Sequence, residues 1–178
     1  MSDQSDRLLK QALEARRENR LADAKRDLVD AVALCRGSTG RDELARALAD
    51  LGQIERDLHH NDVALRHYEE AVALYRVEGD PLKIAHTIRH VADIQRHEGN
   101  HQHADACYGE ALRIYRDHPE TPPLDLANAL RGWALLKESM GEIKPAREQW
   151  QEAGKLYADV HVEVGVAESK RRVELLKA

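Results

Sequence analysis

The amino-acid sequence predicts an all-α fold, an α-solenoid of about four helix-turn-helix repeats followed by a C-terminal capping helix. Three observations predict it. Columns of apolar and small residues recur every 40 to 42 positions, the apolar spacing within each block is helical, and prolines, glycines and short polar links punctuate the blocks. Self-similarity at a period of roughly 20 to 50 residues marks stacked supersecondary units, because one helix pair cannot bury its apolar face alone.

The first-helix columns read Leu44-Ala45, Ile84-Ala85, Leu126-Ala127 and Val166-Ala167, then Leu48, Ile88 and Leu130, then Leu51-Gly52, Val91-Ala92 and Trp133-Ala134. The second-helix columns are Ala24, Ala64, Ala104 and Ala146, then Leu28, Tyr68, Tyr108 and Trp150, then Ala31, Ala71, Ala111 and Ala153. Leu34, Leu74, Ile114 and Leu156 complete the set, each followed by a thiol or aromatic residue: Cys35, Tyr75, Tyr115 and Tyr157. Repeats are expected at about 4–37, 41–78, 81–117 and 123–158, with a cap at 160–177, as a single repeat domain spanning 1–178.

Within a repeat, positions 44, 45, 48, 51, 52 and 54 fall within about 180° of arc at 100° per residue, so 41–58 reads as an amphipathic helix rather than an alternating strand. Residues 62–77 repeat the pattern, and the short His59–Asn61 link makes the two helices antiparallel neighbours. Asp80-Pro81 places a capping carboxylate before a proline at the first helical position, and Thr121-Pro122-Pro123 is expected to do the same for the fourth pair. Gly99 and Gly141 close first helices, and Pro145 sits near the start of 143–158, where its missing N–H costs little. The longer link Asp117–Pro123 accounts for the last period of 42. Small residues recur because paired helices approach to about 8–10 Å, so Gly52 is expected to face Ala64 and Ala71. In 160–177 the first-helix columns continue, but Lys170 and Glu174 stand at apolar and small positions and no second helix follows, as expected of a polar cap that completes the domain.

The 178 residues are 42% hydrophobic and 33% charged, a balance that excludes the disordered class and suffices for one globular unit. There is no run of 18 apolar residues, and Met1–Lys10 is polar, so neither a membrane span nor a signal peptide is expected and the chain reads as cytoplasmic. Cys35 and Cys107 lie in separate repeats within helical apolar patterns, which points to reduced, packed thiols and leaves a cysteine metal site without ligands.

The pattern of Leu-Gly or Leu-Ala in the first helix, Gly about seven residues later, then Ala-x3-Tyr-x2-Ala in the second, resembles the tetratricopeptide repeat over nearly the whole chain. The period of 40 to 42 exceeds the family's usual 34 or so, the first block lacks the aromatic and the glycine, and the late proline is absent; longer-helix variants, as in kinesin light chains, are more similar in spacing. The resemblance implies binding of short peptide segments on an inner groove formed by the first helices.

The face of each first helix opposite its buried arc carries ten basic and six acidic residues over the five first helices, a surplus of four on a chain of net charge −5. A basic face on an acidic body favours acidic partners. The expected peptide-binding residues are Arg46, Gln53, Arg56, His86, Arg89, His90, Asp93, Arg96, Asn128, Arg131 and Leu135. Guanidinium forks engage carboxylates in bidentate fashion, which orients as well as attracts. The set lacks the asparagine-lysine pattern of the family's carboxylate-clamp members, so it does not point to a chaperone tail. Leu9, Leu13, Leu135 and Leu175 lie on the same exposed arc as candidate apolar anchors or a dimer patch.

His86, His90 and His97, with Asp93, share one side of a helix, and a four-residue histidine spacing can place two imidazoles on one ion. Two ligands do not make a metal site, and pH sensing is the better use of these groups. No phosphate loop, nucleophile elbow, metalloprotease motif or four-cysteine set occurs, and the carboxylates read as i,i+4 partners of basic residues on exposed faces, so neither catalysis nor a cofactor is expected. Trp133 and Trp150 fall in core columns, and the basic face lacks the stacking aromatics that nucleic-acid binding needs. Three roles remain: an adaptor for an acidic or carboxylate-bearing peptide, a self-associating module, and a pH- or metal-responsive module.

Overall fold

Every element of the computed structural model is a helix among the described residues, which are 2–37 and 40–177; Met1, Ser38, Thr39 and Ala178 of the expected 1–178 domain lie outside them. The helices are α1 (Ser2–Arg17), α2 (Leu21–Arg36), α3 (Arg41–Asp57), α4 (Asn61–Glu78), α5 (Pro81–His97), α6 (His101–Asp117), α7 (Pro123–Ser139), α8 (Ile143–Asp159) and α9 (Glu163–Leu175). The chain clusters into two compact units, Met1–Thr87 and Ile88–Ala178, with the boundary inside α5. The helices pack as an all-α, repeat-like solenoid array: α1 on α2, α2 on α3 and α3 on α4 in the first unit, and α6 on α7, α7 on α8 and α8 on α9 in the second. No described helix is long and apolar enough to cross a membrane.

The turn inside each pair repeats at the level of single hydrogen bonds. His60 N–H donates to Glu55 O at 2.8 Å and His59 N–H to Arg56 O at 2.9 Å, and the same two bonds recur at Arg20/Asn19, Asn100/Gly99 and Glu142/Gly141. A six-residue closure of this kind satisfies carbonyls that the helix end leaves open and requires a left-handed residue in the turn. Gly99 (φ 79°) and Gly141 (φ 75°) supply it as expected, while Asn19 (φ 58°) and His59 (φ 64°) adopt the same conformation without being glycine. The N–H groups of Ala24, Ala64, Ala104 and Ala146 then open the second helices by bonding the carbonyl four residues back.

The alanine columns and the column of Leu28, Tyr68, Tyr108 and Trp150 are buried throughout. In the last column the greater burial belongs to Cys35, Tyr75, Tyr115 and Tyr157 rather than to Leu34, Leu74 and Leu156, which stay partly exposed. In the first unit the core joins Leu9, Ala12, Leu28, Leu48, Ile54 and Tyr75; in the second, Ala92, Ala104, Tyr108 and Leu136 form a cluster on which Cys107 and Trp133 pack. Neither Cys35 nor Cys107 forms a disulfide among the described residues.

Several expectations are corrected. Gly52 faces the Tyr68 ring rather than Ala64 and Ala71, since a Cβ there would lie 3.0–3.2 Å from ring carbons. The Asp80 carboxylate does cap α5, accepting Lys83 N–H at 3.1 Å. Thr121 does not cap α7; its hydroxyl donates to Tyr115 O at 2.9 Å and ties the link back to α6, while Pro122 stands before the first turn. Leu9 is buried at 4% exposure, so it is a core residue and not a surface anchor. On α9, Lys170 and Glu174 are exposed, and so is Ala167, unlike the buried Ala45, Ala85 and Ala127 of the same column.

Candidate functional site

Of the eleven expected binding residues, Arg46, Gln53, Arg56 and His86 belong to the first unit and the other seven to the second. In the first unit, Arg46, Asp50, Gln53 and Asp57 form one stripe along α3 at spacings of four, three and four, which helical geometry places on one side. That stripe faces Lys10, Leu13, Arg16 and Arg17 of α1. A pocket of about 190 Å³ opens in the seam, lined by Leu9, Lys10, Ala12, Leu13, Arg16, Leu28, Arg46, Asp50, Gln53 and Ile54. Leu13 and Arg16 also wall the next concavity, which adds Arg17, Asn19, Leu21, Arg56, Asp57 and His59. The seam thus carries five cationic side chains against two carboxylates, over a floor made of buried Leu9, Ala12, Leu28 and Ile54.

The two carboxylates behave differently. Asp57 accepts from Arg16 Nε at 2.8 Å and from Gln53 Nε2 at 2.8 Å, with Arg56 at 4.0 Å, and so pins α1 to α3. Asp50 makes no hydrogen bond of this kind among the described residues. Desolvation raises its pKa above the ordinary value of 3.8, against the opposing charges of Arg46, Arg16 and His86. It remains open to solvent while protein surrounds it on the pocket side. Among the described residues no ion pair engages Lys10, Arg17 or Arg46, so three of the five cations keep their charge for a ligand. His86 is exposed on α5 within the same unit.

The second unit spends its charge internally. Arg89 pairs with Asp93 at 3.1 Å and bonds His90 Nε2 at 2.9 Å, and Asp93 also accepts the Tyr108 hydroxyl at 2.5 Å. His90 is only 8% exposed, so it supports Arg89 rather than offering its ring to a peptide. Arg96 bonds His97 at 3.0 Å. Arg131 holds Glu168 of the cap through two bonds of 2.7 and 3.0 Å, and Asn128 accepts the Tyr157 hydroxyl at 2.8 Å. Hydrogen bonding to Glu168 raises the Arg131 pKa, and the same bond lowers that of Glu168. Desolvation, then the charge of Asp93, pushes the Tyr108 phenol far above its usual range. Leu135 is half-buried. Arg89, His90, Asp93, Asn128 and Arg131 thus spend polar groups on contacts within the second unit.

No group of three or more His, Cys, Asp or Glu side chains is placed to hold a metal among the described residues. His97 is exposed and His90 buried, so helical spacing alone did not bring the histidines to one open site. The residues that sequence reasoning left out of the site are Lys10, Leu13, Arg16, Arg17, Asp50 and Asp57. Each stands on the charged or apolar arc that the spacing identifies, but spacing along single helices does not show that α1 and α3 close a seam between them.

No protein-family model matches the chain, and no curated protein does. Among solved structures the chain is similar to the crystal structure of BtubC (BKLC) from P. vanneervenii, with a TM-score of 0.70 and 16% identity over 99% of this chain and 92% of that one. At that identity the likeness concerns the fold alone.

Proposed function

We propose that this chain is a non-catalytic protein–protein interaction scaffold of the tetratricopeptide type, working in the cytoplasm, whose first unit binds an acidic or carboxylate-bearing peptide segment in the α1/α3 seam. The observation that carries the proposal is the concentration of unpaired Lys10, Arg17 and Arg46 along a concavity with an apolar floor. Cations left without partners in a concave, partly desolvated site focus field on an incoming anion, and guanidinium groups add bidentate geometry. Two cysteines that form no disulfide among the described residues fit a reducing compartment.

Fluorescence anisotropy with a labelled hexapeptide of Asp and Glu tests this. Binding is expected to weaken by about tenfold or more between low and physiological salt, because exposed charge pairs are screened over a Debye length of about 8–10 Å. It is expected to weaken similarly in Arg46→Glu. Equal binding of a Lys-rich hexapeptide, or indifference to Arg46→Glu, would refute the proposal.

A further inference from the structure

We propose that the α1/α3 pocket takes one aliphatic side chain of the bound segment, so that the first unit selects a large apolar residue flanked by carboxylates; this rests on the acidic-peptide reading above and narrows it. The pocket floor is fully apolar: Leu9, Ala12, Leu28 and Ile54 are all exposed by 4% or less and belong to the core of the first unit. Its rim is not, since Lys10 and Arg46 stand on opposite helices with no ion-pair partner among the described residues. A purely charged ligand would leave the floor wet, and a purely apolar one would leave the rim cations without counter-ions. An occupant with both features satisfies both.

Size and charge narrow the occupant further. At about 190 Å³ the pocket is smaller than the roughly 300–1,000 Å³ of small-molecule and cofactor sites, which suits a single side chain. Asp50 forms part of its wall, and a ligand carboxylate driven into the pocket would meet that acid where desolvation already disfavours its charge. The group that enters is therefore uncharged, and the acids of the segment lie at the rim, towards Lys10, Arg46 and, one concavity further, Arg17. Leu13 extends the apolar surface to that rim, which explains an otherwise unpartnered leucine exposed by 47% between the two concavities.

The test uses the full chain and two labelled hexapeptides of Asp and Glu that differ only in a central Leu or Ala. The Leu peptide is expected to bind about tenfold tighter or better: leucine carries three more carbons than alanine, each worth about fourfold when fully buried. In Ala12→Leu, which fills the pocket, this preference is expected to fall to within about twofold. Should that variant melt well below the wild type, Leu13→Asn on the exposed wall serves instead and is expected to cut the preference several-fold. Equal affinity for the two peptides, with both weakened by Arg46→Glu, would overturn the pocket assignment while leaving the acidic-peptide reading intact. Failure of both peptides to bind, or binding indifferent to Arg46→Glu, would remove both. A concentration-dependent dimer in sedimentation velocity that Leu13→Asn abolishes would assign the pocket to a second copy of the chain and overturn the proposal.

Discussion

Two helical glycines separate packing from propensity. In Gly132→Ala the new methyl would lie 2.6 Å from Tyr108 Oη, 2.7 Å from Cε1 and 2.8 Å from Cζ, so the ring must retreat by roughly 0.8 Å to reach an ordinary 3.4 Å contact. Tyr108 has little freedom to do so. It has 0% exposure, packs in the cluster of Ala92, Ala104 and Leu136, and is held through its hydroxyl to Asp93 at 2.5 Å. Overpacking of this kind costs about 1–3 kcal/mol, against a helix-propensity gain of about 1 kcal/mol from losing glycine. The net is a destabilisation of up to about 2 kcal/mol, which lowers Tm by several degrees at about 2–4 °C per kcal/mol for a chain of this size. Gly109 of α6 is the control, because a Cβ there meets nothing within 4 Å and only the propensity gain remains. Gly109→Ala should therefore raise stability by up to about 1 kcal/mol. Urea and thermal unfolding followed by circular dichroism at 222 nm measure both variants. If Gly132→Ala proves as stabilising as Gly109→Ala, the close approach of α7 to the Tyr108 ring is wrong, and with it the packing of the second unit.

Three further outcomes follow from the same contacts. Ala104, fully buried beside Tyr108, should not tolerate leucine, and Ala104→Leu is expected to cost about 1–3 kcal/mol and lower the melting temperature. Burial pushes the Glu55 carboxyl up, but hydrogen bonds from Lys25 at 2.9 Å and His60 at 2.8 Å outweigh it and hold its pKa below the ordinary 4.5. Its contribution is thus complete above that ordinary value and lost as pH falls through the lower folded value; Glu55→Gln should cost about 1–3 kcal/mol at pH 7 and flatten the acid limb of a stability-versus-pH curve. Asp50 has the opposite sign. Its folded pKa lies above the ordinary 3.8, so the folded state holds the proton more tightly and stability falls as pH rises through that folded value; Asp50→Asn should remove this fall and leave the protein more stable at pH 7, as read by urea midpoints at pH 4 and 7.

The parts of the fold legible in the sequence are those fixed by steric columns. An alanine at a helix crossing admits no substitute, so Ala24, Ala64, Ala104 and Ala146 announce themselves, and each is fully buried. A left-handed turn residue is less demanding, and Asn19 and His59 fill the place of Gly99 and Gly141 with no signal beyond their spacing. Charge pairing is the least legible, because a long side chain can reach several neighbours and a helical wheel does not say which. Sequence spacing assigned the carboxylates to i,i+4 partners, yet Arg16–Asp57, Lys83–Asp42 and Arg131–Glu168 bridge different helices at 2.7–2.8 Å, across 37 to 41 positions of sequence. The surplus of basic residues was therefore visible, but not that Arg89 and Arg131 are already occupied while Arg46 and Lys10 are free.

A comparison of equivalent columns shows why averaging over repeats hides this chemistry. Position 55 of the second repeat becomes 95 and then 137, and position 25 becomes 65 and then 105, at the periods of 40 and 42. In the first unit the buried anion Glu55 is clasped by Lys25 and His60; in the second the largely buried cation Lys137 is clasped by Asp105 at 2.8 Å and Glu142 at 3.2 Å. The geometry is retained and the signs are reversed. A column in which glutamate, glutamine and lysine alternate looks unconstrained in sequence, although Glu55 and Lys137 each meet an opposite charge on the neighbouring helix, while Gln95 accepts from Asn100 in its own turn. Reversing one clasp alone would place like charges together at a buried site, so a chain that preserved every apolar column but exchanged Glu55 for lysine would keep the fold's pattern and lose the contact that joins α2 to α3.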